Sequence, residues 1–289
     1  MFIVKYKSFF IGLAVVLVIA SFALMAKFGI RQGVDFTGGT VIETVYIAQA
    51  PEAIGTEALT AADVRTFKTG TSTYKFISTK SYDEMKPLVN QALSQGGFQY
   101  QETQVNTVGP TLGLELKRKA AIAIAVVVLA ILAFIAFSFR EVSRPVSSWK
   151  YGVIAMVTLL HDIIVPTGVY VLLSHFYGAE IDTLFVIALL TILGISISDK
   201  IVVFDRIREN LKTGNVKNFE DVVGMSLRQT FTRSINTSVT VVLALLALYF
   251  FGPVTTKFFA LTLTVGMIVG TYSSIFVASP LLTVWNKNK

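Results

Sequence analysis

The stretch Thr183–Phe204, TLFVIALLTILGISISDKIVVF, decides the fold. Its first sixteen residues, Thr183–Ser198, carry no charge, and after Asp199-Lys200 the apolar run resumes through Phe204. A hydrocarbon core about 30 Å thick needs roughly 20 apolar residues in helix, and this stretch supplies them. Five others qualify: Phe9–Ala26, Ala120–Phe139, Tyr151–Leu173, Ser234–Phe251 and Phe258–Val284. The composition agrees: 53% of the 289 residues are hydrophobic, 15% are charged, and the mean hydropathy is +0.66. Soluble domains carry about 25% charged residues, so this chain has too few polar groups to coat a soluble surface. Disorder and an ordinary soluble enzyme are both poor readings of such a chain. The absence of Cys removes disulfides, thiolate nucleophiles and Cys-ligated metals, and two His argue against a His-rich metal site. The fold class expected is an α-helical polytopic membrane protein with six transmembrane helices and one modest soluble domain.

The first apolar run follows Lys5 and Lys7, as in a leader peptide, but at 18 residues it exceeds the roughly 7–15 of a leader's apolar core. It is read as a retained span. Lys and Arg in the short segments orient the bundle. Thirteen fall on one side, in the N-terminus (Lys5, Lys7), after span 2 (Arg140, Arg144, Lys150), after span 4 (Arg206, Arg208, Lys212, Lys217, Arg228, Arg233) and in the tail (Lys287, Lys289). The opposite short loops hold only Lys257. Both termini are therefore expected in the cytoplasm, despite Lys117, Arg118 and Lys119 at the outer edge of span 2. The implied domains are 1–27 (first span), 28–119 (extracytoplasmic) and 120–289 (spans 2–6). Residues 28–119 hold nine basic and nine acidic residues, so the net charge of +7 belongs to the membrane and cytoplasmic parts. That charge suits topology and anionic lipid contact, and no basic, aromatic-bearing module suggests nucleic acid.

The outer segment reads as β (Thr40–Ile47), α (Glu57–Ala62), β (Val64–Lys68), β (Ser72–Ser78), α (Ser81–Gln95) and β (Gln99–Val108). Thr69-Gly70-Thr71 marks a hairpin, Ser81 with Glu84 a capping box, and Gly96-Gly97 a helix stop. The order βαββαβ is that of a small α+β ferredoxin-like unit, which hosts many functions and establishes none. No catalytic constellation is visible there; Asp35, Glu43 and Asp83 are read as solvated or turn residues.

Ionisable groups inside the membrane cost at least about 2.5–3.5 kcal/mol each, which makes them functional candidates. His161-Asp162 lies mid-span, four residues before Pro166, and is either functional or a polar pair that joins helices. Asp199 lies about six residues from the expected cytoplasmic end of span 4, too deep for a short side chain to reach water. Lys200 has a side chain long enough to snorkel to the cytoplasmic surface; neighbours on a helix do not face each other, so it is not an automatic partner for Asp199, and its ammonium either acts on that carboxyl or points away. Arg233 is either a guanidinium reaching Asp199 or an interfacial anchor. The stripe Gly266, Gly270 and Ser274 in span 6 is read as helix packing.

Several of these motifs together resemble the SecF family of the bacterial Sec protein-translocation machinery, within the RND superfamily. They are Arg31-Gln32-Gly33-Val34-Asp35-Phe36-Thr37-Gly38-Gly39, Val108-Gly109-Pro110, His161-Asp162 and Ile201-Val202-Val203-Phe204-Asp205-Arg206-Ile207-Arg208-Glu209-Asn210. The resemblance implies a family motif at Gly33, Asp35, Phe36, Gly38 and Gly39, with Asp199 and Arg233 as the proton-coupling pair. It implies protein export across the cytoplasmic membrane driven by the proton-motive force. The partners it implies are a SecD-like subunit, the Sec protein channel, unfolded preprotein, protons and lipid, with no nucleic acid. One departure stands out: the family commonly has Asn-Asp-Thr or Asn-Asp-Ser where this chain has Ser198-Asp199-Lys200. Two rival readings remain open, a small-molecule or lipid exporter of the RND type and a purely structural translocase subunit. An enzyme is not expected, since no nucleophile elbow, zinc motif or phosphate loop occurs, and no cofactor is expected.

Overall fold

The computed structural model describes residues 2–47, 54, 56–94, 99–138, 147–213 and 218–286. Arg140, Arg144, Lys217, Lys287 and Lys289 of the orientation argument, the end of span 2 at Phe139, and the Gly96-Gly97 helix stop lie outside the described residues. The elements run α1 (Lys7–Phe28), β1 (Gly39–Tyr46), α2 (Glu57–Ala61), β2 (Arg65–Lys68), β3 (Thr73–Ser78), α3 (Tyr82–Leu93) and β4 (Tyr100–Val108). They continue with α4 (Pro110–Ser138), α5 (Ser148–Tyr177), α6 (Thr183–Thr213), α7 (Phe219–Phe251), α8 (Lys257–Tyr272) and α9 (Ser279–Asn286). Six helical segments among the described residues are long and apolar enough to cross a membrane, the last joining α8 to α9. The chain divides into two compact units: Met1–Gly29, Ile124–Tyr170 and Leu184–Lys289 form one, Ile30–Ala123 and Val171–Thr183 the other.

The second unit is built on a four-stranded antiparallel sheet in the order β2-β3-β1-β4. β1 holds the centre because its β-branched residues suit a strand covered on both edges, with Ile42 opposite Phe76 of β3. On α3, Met85, Val89, Ala92 and Leu93 are buried, a spacing that puts one helical face on the sheet. They pack with Ile42, Tyr46, Leu59 and Phe76; full burial of such side chains is worth roughly 1.5–3 kcal/mol each. Ser81 does precede α3, but its side chain makes no capping bond. Glu43 is also not solvated: it is 7% exposed within β1, and burial pushes its carboxyl up despite Lys75 opposite.

The segment Val171–Thr183 joins this unit through backbone and charge. Gly33 N–H donates to the Ile181 carbonyl at 2.8 Å, and Ile181 N–H donates to the Arg31 carbonyl at 2.9 Å. Arg65 pairs with the buried Glu180 at 2.7 Å, while burial pushes that carboxyl up. Asp35 accepts the N–H of Thr183, the first residue of α6, at 3.0 Å, so a carboxylate meets the positive end of the helix dipole. Asp35 is thus an anchoring acceptor rather than a free turn residue.

In the helical unit, α5, α6 and the last span bury about half or more of their apolar windows, whereas α1, α4 and α7 bury little. The core gathers Tyr151, Leu159, Leu193, Phe204, Leu227 and Ile275. The stripe on α8 packs as read: a Cβ at Gly266 would overlap Ile192, and one at Gly270 would lie 3.3 Å from Ser196. Lys7 donates to Glu220 at 2.6 Å and to Thr283 at 3.2 Å, which puts the starts of α1 and α7 and the end of α9 at one end of the unit. Two helices exceed the sequence reading. α6 runs on to Thr213, and α7 is one helix of 33 residues from an Asn218 cap, beginning well before the apolar run that starts at Ser234. At 1.5 Å per residue α7 is about 50 Å long, well beyond the hydrocarbon thickness. Between α8 and α9 the chain widens into a π-turn over Ser273–Ala278, just before Pro280, which has no N–H to continue the α pattern.

Candidate functional site

Two polar clusters lie inside the helical unit, on different sides of α6. A residue step along a helix turns about 100°, so Asp199 and Lys200 cannot share a neighbour easily. Asp199 faces α7. Its Oδ1 accepts the Ser234 hydroxyl at 2.8 Å. Its Oδ2 is buried with no hydrogen-bond partner among the described residues. Ser274, also near, gives its hydroxyl proton to the Gly270 carbonyl at 2.7 Å instead. A buried acceptor left open is costly for a carboxylate and is satisfied by taking up a proton or a water.

Asp199 lines a cavity of about 250 Å³ together with Ser198, Val202, Arg233, Thr237 and Thr271. Arg233 is exposed and makes no ion pair with Asp199 within 4.0 Å, but both groups border the same space. Arg233 and Val202 also line a second cavity of about 330 Å³, whose walls include Asp205, Arg206, Glu209 and Gln229. Arg233 thus borders both cavities. Around the latter, Arg206 meets Gln229 and Glu209, and Asn210 donates to Ser226 and Gln229 at 2.8 Å.

Lys200 faces the other way and corrects the sequence reading. It does not snorkel: it has no exposed surface, and its ammonium meets Asp162 Oδ2 at 2.5 Å, Ser196 Oγ at 2.5 Å and Ser273 Oγ at 3.1 Å. Asp162 is equally buried, and it also accepts from Ser196, Ser273 and His161, the last at 2.9 Å. The pair read as secondary, His161-Asp162, is therefore the centre of a buried ion pair that joins α5, α6 and the π-turn. Asp162 lies 38 residues from Lys200 in the chain, and nothing in the local sequence joins them. The one legible clue was the cost of an ammonium in oil, which demands a counter-ion.

The motif residues Gly33, Asp35, Phe36, Gly38 and Gly39 lie in the sheet unit. Phe36 is buried, and Gly33 and Asp35 hold the 171–183 segment as described. Gly38 and Gly39 have φ of +76° and +126°, a region other L-residues rarely enter. A Cβ at Gly38 would lie 2.8 Å from the Pro110 Cα, and one at Gly39 would overlap the Ser78 carbonyl.

Comparison with known proteins accords with this architecture. Residues 88–288 match the family described as protein export membrane protein SecD/SecF, C-terminal, and residues 23–46 match the SecD/SecF GG motif. The chain is 40% identical to protein translocase subunit SecF of Thermobaculum terrenum, over 98% of this chain and 93% of that one. It is 35% identical to protein translocase subunit SecF of Anaerolinea thermophila, over 99% and 93% of the two chains. The crystal structure of SecDF, a translocon-associated membrane protein from Thermus thermophilus, superposes with a TM-score of 0.82 at 31% identity. That match covers 99% of this chain and spans 38% of the longer SecDF chain. With six apolar helices, a glycine-pair motif and near full-length kinship, the chain is a multi-pass membrane protein that belongs to the SecF family of protein-export translocase subunits.

Proposed function

We propose that the chain couples the proton-motive force to the outward movement of preprotein, as the SecF half of an assembly with a SecD-like subunit and the Sec channel. The observation that carries this reading is the half-open carboxylate of Asp199 in a cavity it shares with Arg233. Burial favours the neutral acid and an adjacent guanidinium favours the carboxylate. Arrangements that bring Arg233 in or let it out thus differ in proton affinity at Asp199. A proton crossing the full membrane releases about 2.3 kcal/mol per 100 mV. Moving a two-state equilibrium from 1:99 to 99:1 takes about 5.5 kcal/mol, so about 150–200 mV supplies most of it and a pH gradient or second proton the rest.

In this reading the sheet unit is a ferredoxin-like extracytoplasmic domain between the first two spans, it meets the emerging unfolded chain, and both termini are cytoplasmic. The chain is a transducer rather than an enzyme, with lipid around it and no cofactor or nucleic acid required. The SecDF name of the 31%-identical structure and of a 34%-identical Thermus thermophilus relative supports a SecD-like partner. The test is co-purification from mild detergent followed by reconstituted export. A SecD-like chain and the channel should accompany this one, and export should stop when the membrane is uncoupled. Drug or lipid efflux with undisturbed protein export would overturn the reading.

A further inference from the structure

Donors and acceptors around Asp199 are unevenly shared. Its Oδ1 takes the Ser234 hydroxyl of α7 at 2.8 Å, while its Oδ2 is buried without a hydrogen-bond partner among the described residues. On the last span the balance is reversed. The Gly270 carbonyl has two lone pairs and three donors: the Ser273 N–H, the Ser273 hydroxyl at 3.0 Å and the Ser274 hydroxyl at 2.7 Å. An open buried acceptor is costly, and most so when it is charged, so a donor in reach of both oxygens is drawn to the open one.

Ser274 meets that description. Its side chain has no exposed surface and stands near the Asp199 carboxyl. Rotation about its Cβ–Oγ bond redirects the hydrogen while the oxygen stays in place. The Gly270 carbonyl keeps the Ser273 N–H when the Ser274 hydroxyl leaves it. Ser273 is committed elsewhere: it donates to Asp162 at 2.8 Å and accepts from Lys200 at 3.1 Å. Consecutive serines at the start of the π-turn thus serve the two clusters that Asp199 and Lys200 build on opposite sides of α6.

Charged groups beside the carboxyl are few. α7 brings Arg233, which lines the same cavity. On α6 itself Lys200 is adjacent, its ammonium engaged by Asp162 of α5. α8 carries charge only at its first residue, Lys257, and the π-turn carries none.

We propose that Ser274 is the second donor of the Asp199 carboxylate: its hydroxyl turns from the Gly270 carbonyl onto Oδ2 when Asp199 is ionised and returns when Asp199 is neutral. The inference rests on the proton exchange assigned to Asp199 and adds the residue that responds to it. The serine keeps its own proton throughout. Because Ser274 belongs to the π-turn, the ionised state ties α6 to the last span and the neutral state releases that tie.

The test is infrared spectroscopy of the full chain in lipid nanodiscs between about pH 9 and 4, with the Asp199 bands identified by difference from Asp199→Asn. In Ser274→Ala the acid form should persist to about ten- to a hundredfold lower proton concentration than in the wild type, because the lost bond favoured the charged form. The carboxylate stretch at high pH should shift as well. A midpoint and a carboxylate band that both superimpose on the wild type overturn the proposal. A wild-type Asp199 that stays ionised throughout overturns the proton exchange instead; Ser274 is then still its donor if the carboxylate band shifts in Ser274→Ala, and is not if the band stays. The wild-type chain gives the same answer without a variant. Labelled so that only its two Ser-Ser pairs, Ser147-Ser148 and Ser273-Ser274, are observed, it should show the Ser274 side-chain resonance moving with the Asp199 midpoint. A resonance that does not move overturns the proposal.

Discussion

Removing one charge of the Asp162–Lys200 pair should loosen the helical unit, and removing both should largely restore it. Both side chains have no exposed surface, so water does not screen the survivor. Breaking a buried pair by deleting one partner costs about 3–5 kcal/mol, whereas replacing both with uncharged groups is often near neutral. The structure places four donors on Asp162, so Asp162→Asn leaves the Lys200 ammonium with neutral acceptors only, the new amide oxygen and the Ser196 and Ser273 hydroxyls. Lys200→Met strands a carboxylate that retains His161 and two hydroxyls, and should be the milder change. Amide hydrogen exchange of α5 and α6 in nanodiscs measures local opening directly. The single variants should open about two to four orders of magnitude more often, the equivalent of about 3–5 kcal/mol. The double variant Asp162→Asn/Lys200→Met should return most of that protection. Equal protection in the wild-type and single-variant chains, or a double variant as labile as the worse single one, would refute the assignment of this pair as the internal brace.

Two further predictions concern the sheet unit. Gly39→Ala should destabilise it by at least about 1–3 kcal/mol, since the residue is held at φ +126° and a Cβ would meet the Ser78 carbonyl; limited proteolysis of the full chain should show faster cleavage within 39–108, and unchanged cleavage would contradict the reading. Burial raises the Glu43 carboxyl above its ordinary 4.5, so between 4.5 and that raised value the native chain binds more protons than the unfolded one. Stability therefore falls as pH rises through this window, and Glu43→Gln should flatten the fall and raise protection of the β1–β3 amides at pH 7; a variant less protected than wild type at pH 7 would reverse the sign.

Much of the architecture was legible because a membrane imposes length and composition. The Thr183–Phe204 run could be nothing shorter than a span, and the strands of the sheet unit fall within a residue or so of their β-branched runs. Helix ends were not legible where polar residues continue a helix beyond the apolar stretch. α7 passes through Thr232-Arg233-Ser234 without a break, with the hydroxyls of Ser226, Thr230 and Ser238 turned onto carbonyls of their own helix and that of Ser234 onto Asp199. The direction of Lys200 was illegible for another reason. A flexible stem beside Asp199 can go either way, and only the position of Asp162 on another helix decides it. Likewise, the ion pair of Glu180 with Arg65 joins residues far apart in the chain, and no local pattern marks it.

The carboxylate of Asp199 is open on one oxygen and lines the cavity that Arg233 also lines, and we propose it as the place where a proton is exchanged for mechanical work. The most direct measurement is preprotein export by vesicles carrying Asp199→Asn, with the imposed proton gradient switched on and off. The variant should assemble with its partners but export at the uncoupled rate whether or not the gradient is present. Export that still accelerates with the gradient, as in the wild type, would contradict it.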